Sequence, residues 1–466
     1  HTPTLALLMG ATQPGRPPSI GSLDHETLPL RCHWEREVDA DRCDDVLSYA
    51  ATAWVTQVEE LGFQAPVEDP DGYVDLYIFD YSGGGAYAYC SSWGDDDPND
   101  DLTGCPAYLA LDRGITDDEM AIYVAHEFNH VLQYATDYNE PTYPVWEGVA
   151  SAAEIWTYPK DRAGTIEYSF PDFQAAPWAG ILNDGYFLWD EHGLWSYYEY
   201  GAAIWALHLD ERHNDSTGSS SAAMWRALAQ GGSSNTTDVI DGYDAATGDW
   251  RDALLSLSAE RVRIGTAAAP TWLPEQDAEL QLFIDGAYTA SDVPLTHTPT
   301  VRPYSTGAVY VELSEVSGPL DIRVIADEGE WGLVAVDDSE MAWEDATTLR
   351  WEGSGDVVIG VVNLDHDRYA ESGSWSDLRA SQRAVQLRIV AGEDEEPGDT
   401  GEPDDTGEPA DTGEPADTGD TTDLEYPPSS ETSGGCGCAA AGSRSTAWLS
   451  LLVVGLLTGW TVSYTH

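Results

Sequence analysis

The sequence predicts an α+β fold with a mixed domain, an all-β domain and a long non-globular tail. Two patterns predict it. Residues 31–266 combine strand-like runs with long helical periodicities, and residues 270–392 contain strand-like runs alone. A length of 466 residues exceeds the usual size of one hydrophobic core, so two folded domains are expected. Residues 1–30 contain "TLALLMGA", and we interpret this segment as a signal or propeptide remnant.

The first domain begins with a helical pattern, "CDDVLSYAATAWVTQVEEL", followed by "YVDLYIFDY" and "AYLALDR", which are typical of strands. Longer helical patterns then cover residues 117–135, 145–157 and 199–212. Strands that precede helices in this way indicate an α+β domain at residues 31–266.

The second domain consists of short apolar or alternating runs that are rich in Val and Ile. They are "LQLFIDG", "AVYVELSE", "LDIRVIAD", "WGLVAVDD", "DVVIGVVN" and "AVQLRIVAG". Turn residues separate them, as in a β-sandwich. This part has no cluster of His or Cys, so we expect it to serve packing, positioning or substrate binding.

The formal net charge is −63, which excludes a basic surface for nucleic acid. Residues 393–425 carry 15 Asp or Glu and no Lys or Arg, so most of the excess lies in the folded part. A solvated acidic surface is one interpretation. A calcium site at the acidic cluster Asp95–Asp101 is the other, although no EF-hand spacing is present.

Six cysteines form three pairs along the sequence. We expect Cys32 with Cys43 and Cys90 with Cys105 to form short-loop disulfides, because the spacing of a zinc ribbon is absent and the protein is expected to be exported. The third pair, Cys436 and Cys438, is too close in sequence to bridge well and lies in a Gly-rich segment before an apolar run.

The tail has two parts. Residues 393–432 repeat "DTGEP" with a period of six residues, which predicts an extended, disordered linker. Residues 433–466 place "GGCGC" before "STAWLSLLVVGLLTGWTVSY", an uncharged stretch long enough to form a transmembrane helix.

This tail resembles the MYXO-CTERM sorting signal of myxobacteria in Cys436, Cys438 and the apolar run from Ala447. The usual terminal Arg cluster is missing, since the chain ends in "WTVSYTH". The resemblance implies cleavage near Cys436 by a sorting protease and attachment to the surface of a bacterial envelope. A plain membrane anchor is the alternative.

The chemistry is expected in "TDDEMAIYVAHEFNHVLQYATDY". Thr116 and Glu119 have the spacing of a capping box, which predicts that a helix begins there. His126 and His130 lie four residues apart and therefore on one helix face, where two imidazoles can bind one zinc ion. Glu127 lies beside them and can take a proton from a water on the metal.

A second helical pattern, "VWEGVASAAEIW", carries Glu147 in its first turn, 17 residues after His130. With this group the sequence resembles the gluzincin metallopeptidases, a zincin-like class in which a downstream helical Glu is the third zinc ligand. The resemblance implies zinc held by His126, His130 and Glu147, with Glu127 as general base. The Asn that commonly precedes the ligand Glu is Trp146 here.

Three roles remain open at this point. Glu154, seven residues after Glu147, is an acceptor for a ligand imidazole, the true third ligand, or simple helix surface. Family members often stabilise the oxyanion with a Tyr or His, for which Tyr200 is the first candidate and His192 the second. The strand "AYLALDR" is our candidate for pairing with an extended substrate.

The leading hypothesis is a secreted, surface-anchored zinc peptidase that acts on proteins or peptides. One alternative is a surface adhesion or structural protein with an inactive zincin-like domain. Another is a zinc hydrolase of a non-peptide substrate. Glu127 favours an enzyme, because a structural metal site needs no general base between its histidines.

Overall fold

The structure is a computed structural model of the chain. It describes residues 16–81, 85–90, 102–138, 140, 142–159, 165–194, 196–213, 219–230, 239–273, 280–365 and 382–392, all within a compact unit that spans His1–Pro397. The predicted linker, the sorting motif at Cys436 and Cys438, the apolar segment and the cluster Asp95–Asp101 lie outside the described residues. Within the described part, no helix is both long enough and apolar enough to span a membrane.

The predicted mixture of helices and sheets is confirmed. Strands of the first sheet are β1 (Gly21–Asp24), β2 (Leu30–Trp34), β3 (Val74–Phe79), β4 (Ala86–Cys90) and β5 (Ala107–Asp112). Helices are α1 (Arg42–Ala53), α2 (Asp117–Thr136), α3 (Tyr143–Thr157), α4 (Thr165–Ala175), α5 (Gly185–His192), α6 (Tyr198–Gly201), α7 (Ala203–Arg212), α8 (Ser219–Ala229), α9 (Val239–Thr247) and α10 (Trp250–Glu260).

The first sheet has the strand order β1-β2-β3-β5-β4. β2, β3 and β5 run parallel, whereas β1 and β4 pair antiparallel with their neighbours. Our choice of "AYLALDR" as the strand that pairs with substrate is wrong, because this strand is β5 and both of its sides are occupied, by β3 and β4. The strand at this edge is β4. Its sequence, "AYAYC", has only five residues, which is too short for a strand to be predicted from its pattern.

The two faces of this sheet differ in composition because side chains alternate along a strand. One face places Leu76, Ile78, Leu109 and Leu111 in the main hydrophobic core, against which α1 and α2 pack. The other face carries a separate cluster of Tyr77, Tyr87, Tyr89, Tyr108 and Ala110.

The helix α2 begins as predicted, with the reciprocal capping box of Thr116 and Glu119. Only its first residues are exposed; the side chains from Val124 to Thr136 are all buried. Its partner α3 begins with Pro144 in the first turn and packs directly on α2. The two predicted ligand-bearing helices are thus neighbours in the core.

The predicted helix at residues 199–212 is broken into α6 and α7 at Ala202. The elements around this break are closely packed. A Cβ atom on Gly201 would lie 2.6 Å from the carbonyl oxygen of Ser169, and one on Gly148 would lie 3.0 Å from the Cβ of Ala202. The two glycines therefore let the α6–α7 corner approach α3 and α4, which sets the position of Tyr200.

The remaining strands are β6 (Gly286–Thr289), β7 (Leu295–His297), β8 (Ala308–Val316), β9 (Leu320–Ile325), β10 (Trp331–Val336), β11 (Met341–Glu344), β12 (Thr348–Trp351), β13 (Gly355–Asn363) and β14 (Gln386–Ala391). They form one sheet of order β11-β10-β13-β8-β6 and a second of order β12-β9-β14-β7. Five of the six predicted runs contain a strand. In "LQLFIDG" the strand begins only at Gly286, because Phe283 and Asp285 donate instead to the carbonyls of Gln174 and Tyr310.

Candidate metal centre

Three side chains from α2 and α3 converge in the core. The Nε2 atoms of His126 and His130 lie 3.2 Å apart, and Oε2 of Glu147 lies 3.1 Å from the first and 3.5 Å from the second. His130 and Glu147 are fully buried and His126 is 6% exposed. This group could hold a metal ion, since its ligand atoms all lie within 4.8 Å of one another.

Each imidazole has a second partner on its far side. Nδ1 of His126 lies 2.7 Å from Oε1 of Glu154, and Nδ1 of His130 lies 2.6 Å from Oε1 of Gln133. Of the roles left open for Glu154, the geometry favours the acceptor for a ligand imidazole. Sequence reasoning missed Gln133, although its position three residues after His130 places it on the same helix face.

Burial and charge compete at these groups. Burial alone would lower the pKa of His126, but hydrogen bonds to Glu147 and Glu154 on its two sides raise it well above the usual value. Burial likewise opposes ionisation of Glu147, yet the two neighbouring histidines hold its pKa well below the usual value. The carboxylate is therefore ionised, and a metal ion would replace the Nε2 proton of His126.

The chemistry of this donor set fits zinc. Two imidazole nitrogens and one carboxylate oxygen are ligands that zinc takes in catalytic sites, and three protein ligands leave a coordination position for water. An ionised carboxylate at the centre of a buried cluster also requires positive charge nearby, which a divalent ion supplies.

Glu127 lies beside this group and faces the edge strand. Its side chain is 2% exposed, and Oε2 has no hydrogen-bond partner among the described residues. Burial raises its pKa, while His130 and His126 and the backbone of Ala88 on β4 partly offset that effect. A buried carboxylate with a free oxygen and a raised pKa is suited to accept and return a proton.

Of the two candidate oxyanion donors, only Tyr200 lies near the metal group. The ring of Tyr200 lies 5.9 Å from the ring of His126 and is half-buried. His192 is not brought to this group; its Nε2 lies 3.0 Å from the hydroxyl of Tyr304, and its ring packs on Trp178. Sequence reasoning missed Tyr81 and Tyr123, which lie within electrostatic reach of Glu127.

Two disulfides brace the sheet next to this site, as predicted. Cys32 on β2 is bonded to Cys43 on α1, and Cys90 is bonded to Cys105, with Cα atoms 5.5 and 6.0 Å apart. The second bond joins the end of β4 to the residues that lead into β5. It therefore anchors the strand that carries Ala88.

Comparison with known proteins assigns no family to this chain. No family model matches it, and no curated protein is significantly similar in sequence. Among solved structures, one match is CorA, a surface-associated copper-binding protein important in copper acquisition by Methylomicrobium album BG8. The two are 11% identical over 23% of this chain and 98% of that chain, with a TM-score of 0.17. A likeness at this score carries no argument about fold or function.

Proposed function

We propose that the protein is a secreted zinc-dependent peptidase of the gluzincin type, held at the surface of a bacterial envelope by its C-terminal segment. The observation that carries the proposal is the convergence of His126, His130 and Glu147 beside the buried carboxylate of Glu127. The two disulfides support export, because such bonds persist in oxidising compartments.

In the proposed reaction a zinc ion held by His126, His130 and Glu147 would supply Lewis acidity, which lowers the pKa of a water and polarises the substrate carbonyl. Glu127 would take a proton from the attacking water through the oxygen that has no partner among the described residues, and the resulting hydroxide would add to the carbonyl carbon. As the C–N bond breaks, Glu127 would pass that proton to the leaving amine. Tyr200 donates a hydrogen bond to the oxyanion. Ala88 keeps the carboxylate of Glu127 in place through its backbone.

The strand β4 is the proposed platform for an extended peptide. It is the last strand in the order of this sheet, where it pairs with β5, and the backbone of Ala88 on it also contacts Glu127. Main-chain pairing at a sheet edge binds peptides with little regard to sequence. A peptide on β4 would therefore bring its carbonyl groups to the side of Glu127.

Glu127→Gln tests this function. We expect the variant to bind zinc as the parent does and to lose peptide hydrolysis by at least about a hundredfold, since general-base catalysis is worth roughly that much. The readouts are zinc content by elemental mass spectrometry and cleavage of an unstructured protein such as casein. Glu59→Gln, which changes an exposed carboxylate, is the matched control.

The alternatives give different outcomes in the same experiment. A parent protein that binds zinc but cleaves neither casein nor small esters and amides would favour the adhesion role. Cleavage of the small substrates alone would favour a hydrolase of non-peptide substrates. Equal casein cleavage by parent and Glu127→Gln would overturn the proposed mechanism.

A further inference from the structure

The side chain of Gln133 bridges the two helices that carry the metal group. Its Oε1 lies 2.6 Å from Nδ1 of His130, and its Nε2 donates to the backbone oxygen of Trp146 at 3.1 Å. Gln133 is fully buried, so both contacts are shielded from water. Trp146 directly precedes Glu147, and the bridge therefore links one candidate ligand to the main chain beside another.

The contact with Trp146 determines which way the amide points. A backbone carbonyl can only accept a hydrogen bond, so the NH₂ group of Gln133 must face Trp146 and the oxygen must face His130. An amide oxygen can only accept, so Nδ1 of His130 must carry a proton. The neutral tautomer with Nδ1–H leaves the lone pair on Nε2, the atom that faces Glu147.

We propose that Gln133 is a positioning residue that holds His130 in its metal-binding tautomer and orientation, through an amide whose own direction is set by the carbonyl of Trp146. The inference rests on the proposed metal centre. The two imidazoles then have different hydrogen-bond partners at Nδ1, a carboxylate at His126 and a neutral amide at His130. The neutral support avoids burying a further negative charge beside Glu127, Glu147 and Glu154.

The test is the zinc affinity of the purified full chain, measured by competition with a chromophoric chelator and without any substrate. Gln133→Met fills a similar volume but cannot accept from His130, and we expect its affinity to fall about 10- to 100-fold. Gln133→Glu keeps an acceptor, and we expect its affinity to stay within about threefold of the parent or to exceed it, since a carboxylate makes a ligand imidazole more basic.

A second buried glutamine provides the matched control. Gln57 donates to the backbone oxygen of Ala125 and to Thr157 and accepts from Asn129, so it also links α2 to α3, but none of these hydrogen bonds is to a candidate ligand side chain. Gln57→Met is expected to lower the unfolding midpoint while zinc affinity stays within about threefold. If Gln133→Met fails to fold, Gln133→Asn, whose shorter side chain withdraws the oxygen, takes its place.

A spectroscopic readout separates positioning from simple packing. In the zinc-loaded parent, the Nδ1 proton of His130 should give a downfield proton resonance that persists in Gln133→Glu and weakens in Gln133→Met. Equal loss of affinity in Gln133→Met, Gln133→Glu and Gln57→Met would overturn the inference and leave the metal centre intact. A folded parent that binds no zinc would overturn both the inference and the proposed function.

Discussion

At the scale of single residues, the site is built from carboxylates whose surroundings separate their roles. Glu147 is held ionised by two histidines, Glu154 lies behind His126, and Glu127 keeps one oxygen without a partner among the residues that the structure describes. A fourth carboxylate, Glu199, is also buried, with Gly185 donating to it. The residues are of one chemical type, and the neighbours of each carboxylate give it a different role.

Tyr200→Phe tests the proposed oxyanion donor. Loss of the hydroxyl should lower kcat about 10- to 100-fold while KM and zinc content stay near the parent values, because the hydrogen bond forms only as charge develops. Steady-state kinetics on one peptide substrate measures this. Tyr197→Phe is the control, since Tyr197 packs on Tyr200 at 6.2 Å but is 43% exposed. An unchanged kcat in Tyr200→Phe would remove Tyr200 from the mechanism.

The buried carboxyl group of Glu199 should make the stability of the protein depend on pH. Burial, with the charge of Asp184, raises its pKa to about 8. Between its ordinary value and 8, the folded state keeps a proton that the unfolded state releases. The contribution of Glu199 to the free energy of unfolding therefore falls as pH rises through that interval, by at most about 1.4 kcal/mol per pH unit. Above the interval this contribution no longer changes with pH.

Urea unfolding at pH 5.5 and 8 measures this effect. Glu199→Gln should reduce the difference in unfolding free energy between the two pH values, because an amide does not titrate and can still accept from Gly185. Glu211→Gln, at an exposed position of α7, is the control. A variant as pH-dependent as the parent would show that Glu199 does not titrate in this range.

At the scale of elements, two contacts decide where the functional side chains lie. The edge position of β4 brings a backbone group to Glu127, and the α6–α7 corner brings Tyr200 to His126. Neither contact follows from propensity, because each depends on how closely separate elements approach. The glycines at the corner make that approach sterically feasible.

Gly201→Ala tests the corner. The added Cβ would lie 2.5 Å from the Cβ of Phe173 and 2.6 Å from the oxygen of Ser169, so α6 must shift. We expect a loss of about 1–3 kcal/mol in unfolding free energy, as in other overpacked interiors, and reduced activity as Tyr200 moves. Gly318→Ala, where a Cβ meets nothing within 4 Å, should change neither quantity. Unfolding and peptide cleavage are measured on the same preparations.

At the scale of the whole molecule, the helical part and the β-rich part share one hydrophobic core. Tyr310 on β8 donates its hydroxyl to the backbone oxygen of Ser258 on α10 at 2.8 Å, and both residues are buried. Arg251 on the same helix pairs with Asp345 and Glu330 beyond it. The β-rich part thus packs on α10, which contacts α7, and α7 in turn packs on α3, the helix that carries Glu147.

Tyr310→Phe tests this coupling. The variant leaves the buried carbonyl of Ser258 without its donor, which should cost about 1–3 kcal/mol and lower the midpoint of a single unfolding transition. In each protein, far-ultraviolet circular dichroism and calorimetry should agree on one midpoint, and that midpoint should be lower in the variant than in the parent. Two separated transitions, with only one shifted, would show that the two parts unfold independently. Tyr197→Phe again provides the surface control.

The sequence by itself determined the α+β class, the capped helix that carries "HEFNH", and the two short-range disulfides. These features depend on residues close together in the chain, where helical periodicity, capping and loop length act directly. Only the tertiary structure decided that Gln133 supports His130, that β4 rather than β5 forms the edge, and that Tyr200 rather than His192 approaches His126. The role of Gln133 depends on its contact with Trp146 on the neighbouring helix, and the other two depend on the packing of elements distant in sequence, which local propensities leave undetermined.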